Sequence, residues 1–401
     1  MSGWMRSTGS NAFGTVGVLV AGRPGEPGFA GETFHRELVQ AGIRLGIRVV
    51  IVTPQRLLTA LRGELPSTNI DGTMVPAYVM SALGGWRLAD VPLPDYIYDR
   101  HFAANAAEQS VYREALRELS AAPGRVKRLL GAGLPGKRAV QRMLAKDAEL
   151  SRYLTPTELF RSPRRLLALL DRYGELFLKP DGGSQGRGAF HIGLGDGSDR
   201  ITVCGRTASN ERFAYSFSER AAFIDWIHRR VQARPYLIQP YLTLYDRAGS
   251  PFDIRCLVQK DDSGQWQRTG MAVRRGVPGS VTANLHGGGE AEPAEPFLAS
   301  EFGKETAKRI EGRLQQLSEI VPIVLESQCG RLVELGIDFG IDRSGRIWLL
   351  EVNSKPGRSC FARIGSPHTR RASVENPLRY ARSLLRRGAQ CSNAILASQT
   401  L

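Results

Sequence analysis

Residues 334–357 restrict what this chain can fold into more than any other stretch. They read Glu-Leu-Gly-Ile-Asp-Phe-Gly-Ile, then Asp-Arg-Ser-Gly-Arg, then Ile-Trp-Leu-Leu-Glu-Val-Asn-Ser-Lys-Pro-Gly. Asp342-Arg-Ser-Gly345 is a turn signal between two apolar runs, so a hairpin is expected. A side-chain period of two puts Glu334, Gly336, Asp338 and Gly340 on one face of the first strand. In the second strand it groups Ile347, Leu349, Glu351 and Asn353 against Trp348, Leu350 and Val352. Acid and amide groups thus interrupt runs that otherwise belong in a core, and burying them is costly unless something pairs with them. Asp338, Glu351 and Asn353 are hard oxygen donors able to converge across the hairpin, the type that suits magnesium or manganese with phosphate oxygens completing the shell. The plainer reading is a sheet whose polar face meets solvent.

With 401 residues, 42% of them apolar and 8% aromatic, the chain can build two or three domains with a sizeable core. Fifty-four basic residues against 39 acidic ones give a net charge of +15, which favours anionic partners. Part of that excess is local: residues 357–401 carry eight arginines and one acid, Glu375. A solvated basic helix accounts for this tail, and no aromatic-interleaved nucleic-acid signature accompanies it. The five cysteines, Cys204, Cys256, Cys329, Cys360 and Cys391, show neither zinc spacing nor a disulfide framework, so reduced thiols in the cytoplasm are expected. No apolar run is long enough to span a membrane, and no signal-peptide core opens the chain.

Along the chain, residues 1–12 read as a disordered leader. A strand at Thr15–Ala21, a Gly/Pro-rich loop (Gly22 to Gly31), a helix near Glu32–Leu45 and a strand at Ile47–Val52 suggest a parallel sheet. Val75–Met80 and Trp86–Leu88 suggest a hairpin. Asp99 and Arg100 close a short strand, as an ion pair or as substrate contacts, and a helix covers roughly Ala106–Ser120. Gly131-Ala-Gly-Leu-Pro-Gly-Lys137 imitates a Walker loop, but Arg138 stands where Ser or Thr must hold the metal and no apolar strand precedes it. Lys137, opening a helix, can still reach a phosphate or remain a surface lysine. Leu176-Phe-Leu-Lys-Pro180 leads into Asp181-Gly-Gly-Ser-Gln-Gly-Arg-Gly188 and a returning strand. That is a glycine hairpin whose backbone N–H groups can fold over phosphates, with Lys179 as a point charge at its root. In Phe252-Asp-Ile-Arg255, Asp253 and Arg255 share a face, and a buried strand arginine needs an acid or phosphate partner. Arg274 ends the next strand, followed by Asn284 beside a glycine run. Residues 302–320 are helical, with Pro322 expected to interrupt before a shorter helix.

Four pieces in order, Phe-Leu-Lys-Pro before the glycine loop, Leu-Ile-Gln-Pro-Tyr-Leu, Phe-Asp-Ile-Arg, and Gly-Ile-Asp with Trp-Leu-Leu-Glu-Val-Asn, resemble the ATP-grasp superfamily. Leu-Pro-Asp-Tyr-Ile-Tyr-Asp-Arg (93–100) and Val-Thr-Ala-Asn-Leu-His-Gly-Gly (281–288) narrow the resemblance to YheC/YheD-type, endospore coat-associated members, over roughly residues 14–380. Tubulin-tyrosine ligase-type enzymes share Phe-Asp-Ile-Arg and Glu-Val-Asn. The resemblance implies an α/β chain, α+β in its C-terminal part. An N-terminal parallel-sheet, Rossmann-like pre-ATP-grasp domain (13–125) would precede a two-lobed ATP-grasp domain (126–380), with a lid lobe near 155–240, a C-terminal lobe near 241–380, and a basic tail (381–401). It implies ATP and magnesium or manganese as ligands. Lys137 and Lys179 would hold the α- and β-phosphates, under a lid that includes Gly183, Ser184, Gly186 and Gly188. Gln239, Tyr241 and Leu242 would hold adenine, although many members carry an acid at the position of Gln239. Arg255, Arg274 and Asn284 would face the γ-phosphate and the reacting carboxylate, and Asp338, Glu351 and Asn353 would hold the metal. The activity implied is carboxylate–amine ligation through an acylphosphate, on small-molecule or peptide acids and amines. The alternative is an ATP-binding structural or assembly protein of a spore or envelope.

Overall fold

The computed structural model describes residues 13–23, 28–64, 73–121, 129–183, 186–195, 200–232, 234–280, 283 and 288–399, with side chains to Gly388. The leader 1–12 and two of the candidate site residues, Ser184 and Asn284, lie outside the described residues.

Valine- and isoleucine-rich segments form the first sheet: β1 (Thr15–Leu19), β2 (Arg48–Val52), β3 (Met74–Met80), β4 (Trp86–Pro92) and β5 (Tyr96–Asp99). Its order is β4-β3-β2-β1-β5. β1 runs parallel to β2 and β5, while β3 and β4 add the expected hairpin antiparallel at one edge. Helices α1 (Glu32–Leu45), α2 (Pro54–Leu61) and α3 (Ala106–Ala121) cover it. α1 presses so closely on β2 that a Cβ on Gly42 would lie 2.6 Å from Val49 and 2.8 Å from the Ile47 carbonyl. Because the parallel strands end together, Asp99 and Arg100 are delivered to the sheet's C-terminal edge, where α/β folds place ligands.

α4 (Lys137–Leu144) crosses to the second sheet, built from β6 (Glu158–Leu159), β7 (Glu175–Pro180), β8 (Phe190–Leu194), β9 (Ile201–Arg206), β10 (Arg212–Phe217) and β11 (Tyr236–Pro240) in the order β10-β9-β8-β7-β11-β6. One face buries Leu176, Leu178, Phe190, Ile192, Val203 and Ile238 under α5 (Pro163–Tyr173) and α6 (Arg220–Val231). The other face bears Phe177, Lys179 and Gln239, which line the main cavity.

The third sheet comprises β12 (Phe252–Lys260), β13 (Trp266–Arg275), β14 (Glu290–Pro293), β15 (Glu334–Ile341) and β16 (Ile347–Asn353), ordered β14-β13-β12-β15-β16. α7 (Ala294–Phe302) and α8 (Lys304–Cys329) back it, and α9 (Ser359–Arg363) precedes α10 (Pro367–Gln399). α8 corrects the sequence expectation, since it continues through Pro322 without a break. Its stripe of Ala307, Ile310, Leu314, Leu317, Val321 and Leu325 is buried along the whole run, and that packing outweighs one missing helical hydrogen bond. The basic tail is the far end of α10. Val374, Leu378, Tyr380 and Ala381 of that helix pack into the core of the first sheet with Val16, Leu38 and Ile51.

Candidate active site

A cavity of about 500 Å³ opens where the three sheets meet. Four neighbouring strands of the third sheet, β13, β12, β15 and β16, build one wall by register. Asp253 lies opposite Arg274, Arg255 opposite Asp338, Asp338 opposite Glu351, and Gly336 opposite Asn353. Strand alternation thus forces these side chains to a common face.

One part of the expected alternation fails. After Asp338 pairs with Glu351, Phe339 pairs with Leu349, so Leu350 is an extra residue in β16. This bulge lets Leu350 and Glu351 both face the cavity, while Ile347, Leu349 and Val352 stay in the core. Glu351 and Asn353 are therefore not on the face of Ile347 and Leu349. The carbonyl of Leu350, at the bulge, accepts from Lys179 Nζ at 3.4 Å.

The buried acids and bases form a chain. Arg255 grips Asp338 with Nε and Nη2, and Arg274 reaches the same carboxylate at 3.0 Å. Arg274 also donates to both oxygens of Asp253, at 2.6 and 2.8 Å. Burial opposes the charge on Asp338, but its two guanidiniums outweigh that and hold its carboxyl below the usual range. At Asp253 burial wins and pushes the carboxyl up. Asp253 and Arg255 share a face, as alternation requires, yet each takes its partner from a neighbouring strand.

On the opposite wall, Lys137 at the start of α4 contacts Glu351 at 3.3 Å. Asp181, from the glycine loop, accepts from the Arg138 N–H at 2.9 Å, so the loop caps that helix. Burial, with Lys137 close by, pushes Lys179 down from its ordinary 10.5 to about 8. Gly183, Gly186 and Gly188 have φ of 105°, 69° and 75°, the region open chiefly to glycine. Phe177, Pro240, Tyr241, Leu242 and Leu350 give the cavity an apolar slot. Gln239 spends its amide nitrogen on Thr157 at 2.7 Å, and its amide oxygen is the group it has left to offer the slot.

Seven basic side chains line the cavity, Arg100, Lys137, Lys179, Arg187, Arg255, Arg274 and Lys355, against three carboxylates, Asp253, Asp338 and Glu351. That excess suits a polyanion. Asp338 and Glu351, set opposite one another with Asn353 two residues on, are oxygen donors of the kind a magnesium-type ion takes together with phosphate and water; here Arg255 and Arg274 hold the Asp338 carboxylate and Lys137 contacts Glu351. No cage of three His, Cys, Asp or Glu exists among the described residues.

Sequence reasoning passed over Lys355 and left Arg100 open. Lys355 bonds Asp99 at 2.7 Å, the His101 carbonyl at 2.9 Å and Tyr112 at 3.2 Å. Arg100 pairs with Glu334 at 2.8 Å rather than with Asp99. The available signal was parity, because Lys355 continues the alternation of Glu351 and Asn353.

A family model for YheC/D-like ATP-grasp proteins matches residues 127–384. The chain belongs to this ATP-grasp family. Among curated proteins, it is 29% identical over 358 residues to the endospore coat-associated protein YheC of Bacillus subtilis (strain 168), covering 89% of this chain and 93% of that one. It is 27% identical over 323 residues to YheD of the same strain, covering 78% and 68%. Among solved structures, D-cycloserine synthetase DcsG superposes with a TM-score of 0.50 at 13% identity, over 91% of this chain and 99% of that one. That likeness is one of fold. No helix among the described residues is long and apolar enough to cross a membrane.

Proposed function

We propose that this protein is an ATP-dependent ligase that joins a carboxylate to an amine through an acylphosphate. The observation that carries this reading is the opposition, across one cavity, of Lys137, Lys179 and the glycine loop to Asp338, Glu351 and Asn353. The apolar slot takes adenine, with Gln239 offering its amide oxygen to the exocyclic amine. Lys137 and Lys179 hold the α- and β-phosphates, with Gly183 and Gly186 of the glycine loop lining the same cavity; Ser184, outside the described residues, would join them by the family pattern. Arg255 and Arg274 use Nε and Nη2 on carboxylates, which leaves Nη1 of each for the γ-phosphate and the incoming acid. Asn284, outside the described residues, would share that role by the family pattern.

A magnesium or manganese ion held by Asp338, Glu351 and Asn353 would supply the positive charge that offsets repulsion among the phosphate oxygens. The substrate carboxylate attacks the γ-phosphorus, the bond to the β-bridging oxygen breaks, and ADP leaves. The amine then attacks the acyl carbon and phosphate departs. The chain's own work is to orient the two anions and to exclude water from an acylphosphate that hydrolyses readily. The four described cysteines are unpaired, which supports a reducing, cytoplasmic setting. The acid and amine are small molecules or peptides.

The experiment is ADP release from purified protein with magnesium-ATP and pooled acids and amines. Turnover should need both substrates, and Glu351→Ala should reduce it by on the order of 10²-fold or more. Undiminished turnover in that variant would defeat the reading. The coat-associated names of the two Bacillus relatives favour a second reading, a nucleotide-binding assembly protein with little catalysis. Tight ATP binding with no turnover across the pools would select it.

A further inference from the structure

A second cluster of reactive side chains stands on the cavity-facing side of the second sheet. A straight cross-strand row runs Cys204, His191, Phe177, Gln239, each residue directly opposite the next. The last two line the cavity. The first two do not, and nothing in the proposed ligase chemistry uses them. Strands lie about 4.8 Å apart, so Cys204 sits roughly 10 Å from Phe177 along this row. Cys204 Sγ is 3.9 Å from His191 Nδ1. The other ring nitrogen, Nε2, is 3.1 Å from a carboxylate oxygen of Glu175. Glu175 is half exposed and the imidazole mostly buried, while the thiol is only partly covered. Tyr241, which lines the cavity, lies over the imidazole with ring centroids 4.2 Å apart.

Nucleophile, base and orienting carboxylate in line is the arrangement that activates a thiol by general-base catalysis. We propose that Cys204, His191 and Glu175 form a second reactive centre, in which a base-activated thiol exchanges with low-molecular-weight disulfides at the rim of the cavity. His191 Nδ1 takes the thiol proton as Sγ attacks one sulfur of the disulfide. The Cys204–sulfur bond forms, the reagent's S–S bond breaks, and the other sulfur departs as a thiolate, which takes the proton from His191 if it is basic, the proton passing to water when it is an acidic aromatic thiolate. One disulfide and one thiol give one mixed disulfide and one thiol. Glu175 accepts from Nε2–H, which fixes the tautomer with Nδ1 free to act as base. Burial raises the Cys204 thiol and lowers His191, so the proton transfer runs uphill, and the exchange rests on the geometry that lets His191 take the proton as sulfur attacks. This centre does not depend on the ligase reading.

The test is reaction of the full-length protein with the aromatic disulfide DTNB, followed by release of the coloured thiolate. Cys204→Ser should remove one fast phase that the remaining thiols do not replace. His191→Gln should slow that phase at least tenfold and move its pH profile upward, to where the thiol ionises unaided. Glu175→Gln should slow it severalfold, with an unchanged far-ultraviolet circular dichroism spectrum. A fast phase that survives Cys204→Ser, or a Cys204 rate indifferent to Glu175→Gln, overturns the proposal. Should His191→Gln fail to fold, the serine and glutamine variants decide alone.

Discussion

Lys179 was conspicuous in the sequence because a lysine closing an apolar strand before a glycine run invites an anion. Its energetics become visible only with burial. Depressed to about 8, it binds fewer protons folded than unfolded from there up to its ordinary 10.5. In that window the unfolded chain holds more protons, so stability rises with pH. A polyphosphate beside the ammonium reverses the shift, and nucleotide binding near pH 8.5 should take up a proton. Calorimetry in two buffers of different ionisation enthalpy measures this directly. Lys179→Met should abolish the uptake and weaken nucleotide binding about tenfold to a hundredfold, the range for a lost charged hydrogen bond. Binding of undiminished strength in that variant, or no uptake in the parent, would remove Lys179 from the phosphate site. Lys355, by contrast, drew no notice in the sequence, since its partners Asp99, His101 and Tyr112 are more than 240 positions away.

Strands and helices were legible where one period governed them. The β-loop-α-β opening and the 74–92 hairpin followed from local pattern. The misses came where packing overrode that pattern. Nothing in Ile-Trp-Leu-Leu-Glu-Val-Asn announces that Leu350 is a bulge, because bulges are set by the partner strand. Pro322 looked like a stop and became a buried interior residue of a 26-residue helix. α8 therefore lacks one backbone donor while its core contacts hold it straight through. Pro322→Ala restores the donor, and we expect the urea midpoint to rise by a gain of about 1–3 kcal/mol in unfolding free energy. A fall would show that the ring's packing beside Val321 and Leu325 is worth more than the hydrogen bond.

The coupling between the first sheet and the rest was the least legible feature, because it runs through contacts remote in sequence. Glu334 is fully buried and accepts from Tyr98 and Arg100 at the end of β5, Gln259 of β12 and Arg358 after β16. Arg100 also holds the Pro356 carbonyl at 2.9 Å, and Lys355 ties the same loop to Asp99. The loop that follows Glu351 and Asn353 is therefore strapped to the end of the first sheet on both sides, which orients these two residues from outside their own sheet. A carboxylate shared by two guanidiniums behaves as a unit. Glu334→Gln strands two buried cations, and Arg358→Met removes one of the two cations that balance the Glu334 charge, so each should cost about 3–5 kcal/mol. The double variant should cost less than the sum by roughly 1–3 kcal/mol, since it strands Arg100 alone where Glu334→Gln strands both guanidiniums. Urea unfolding of the four proteins closes the cycle. Additive costs would mean that Glu334 and Arg358 stabilise the molecule independently, and that the strap is not one network.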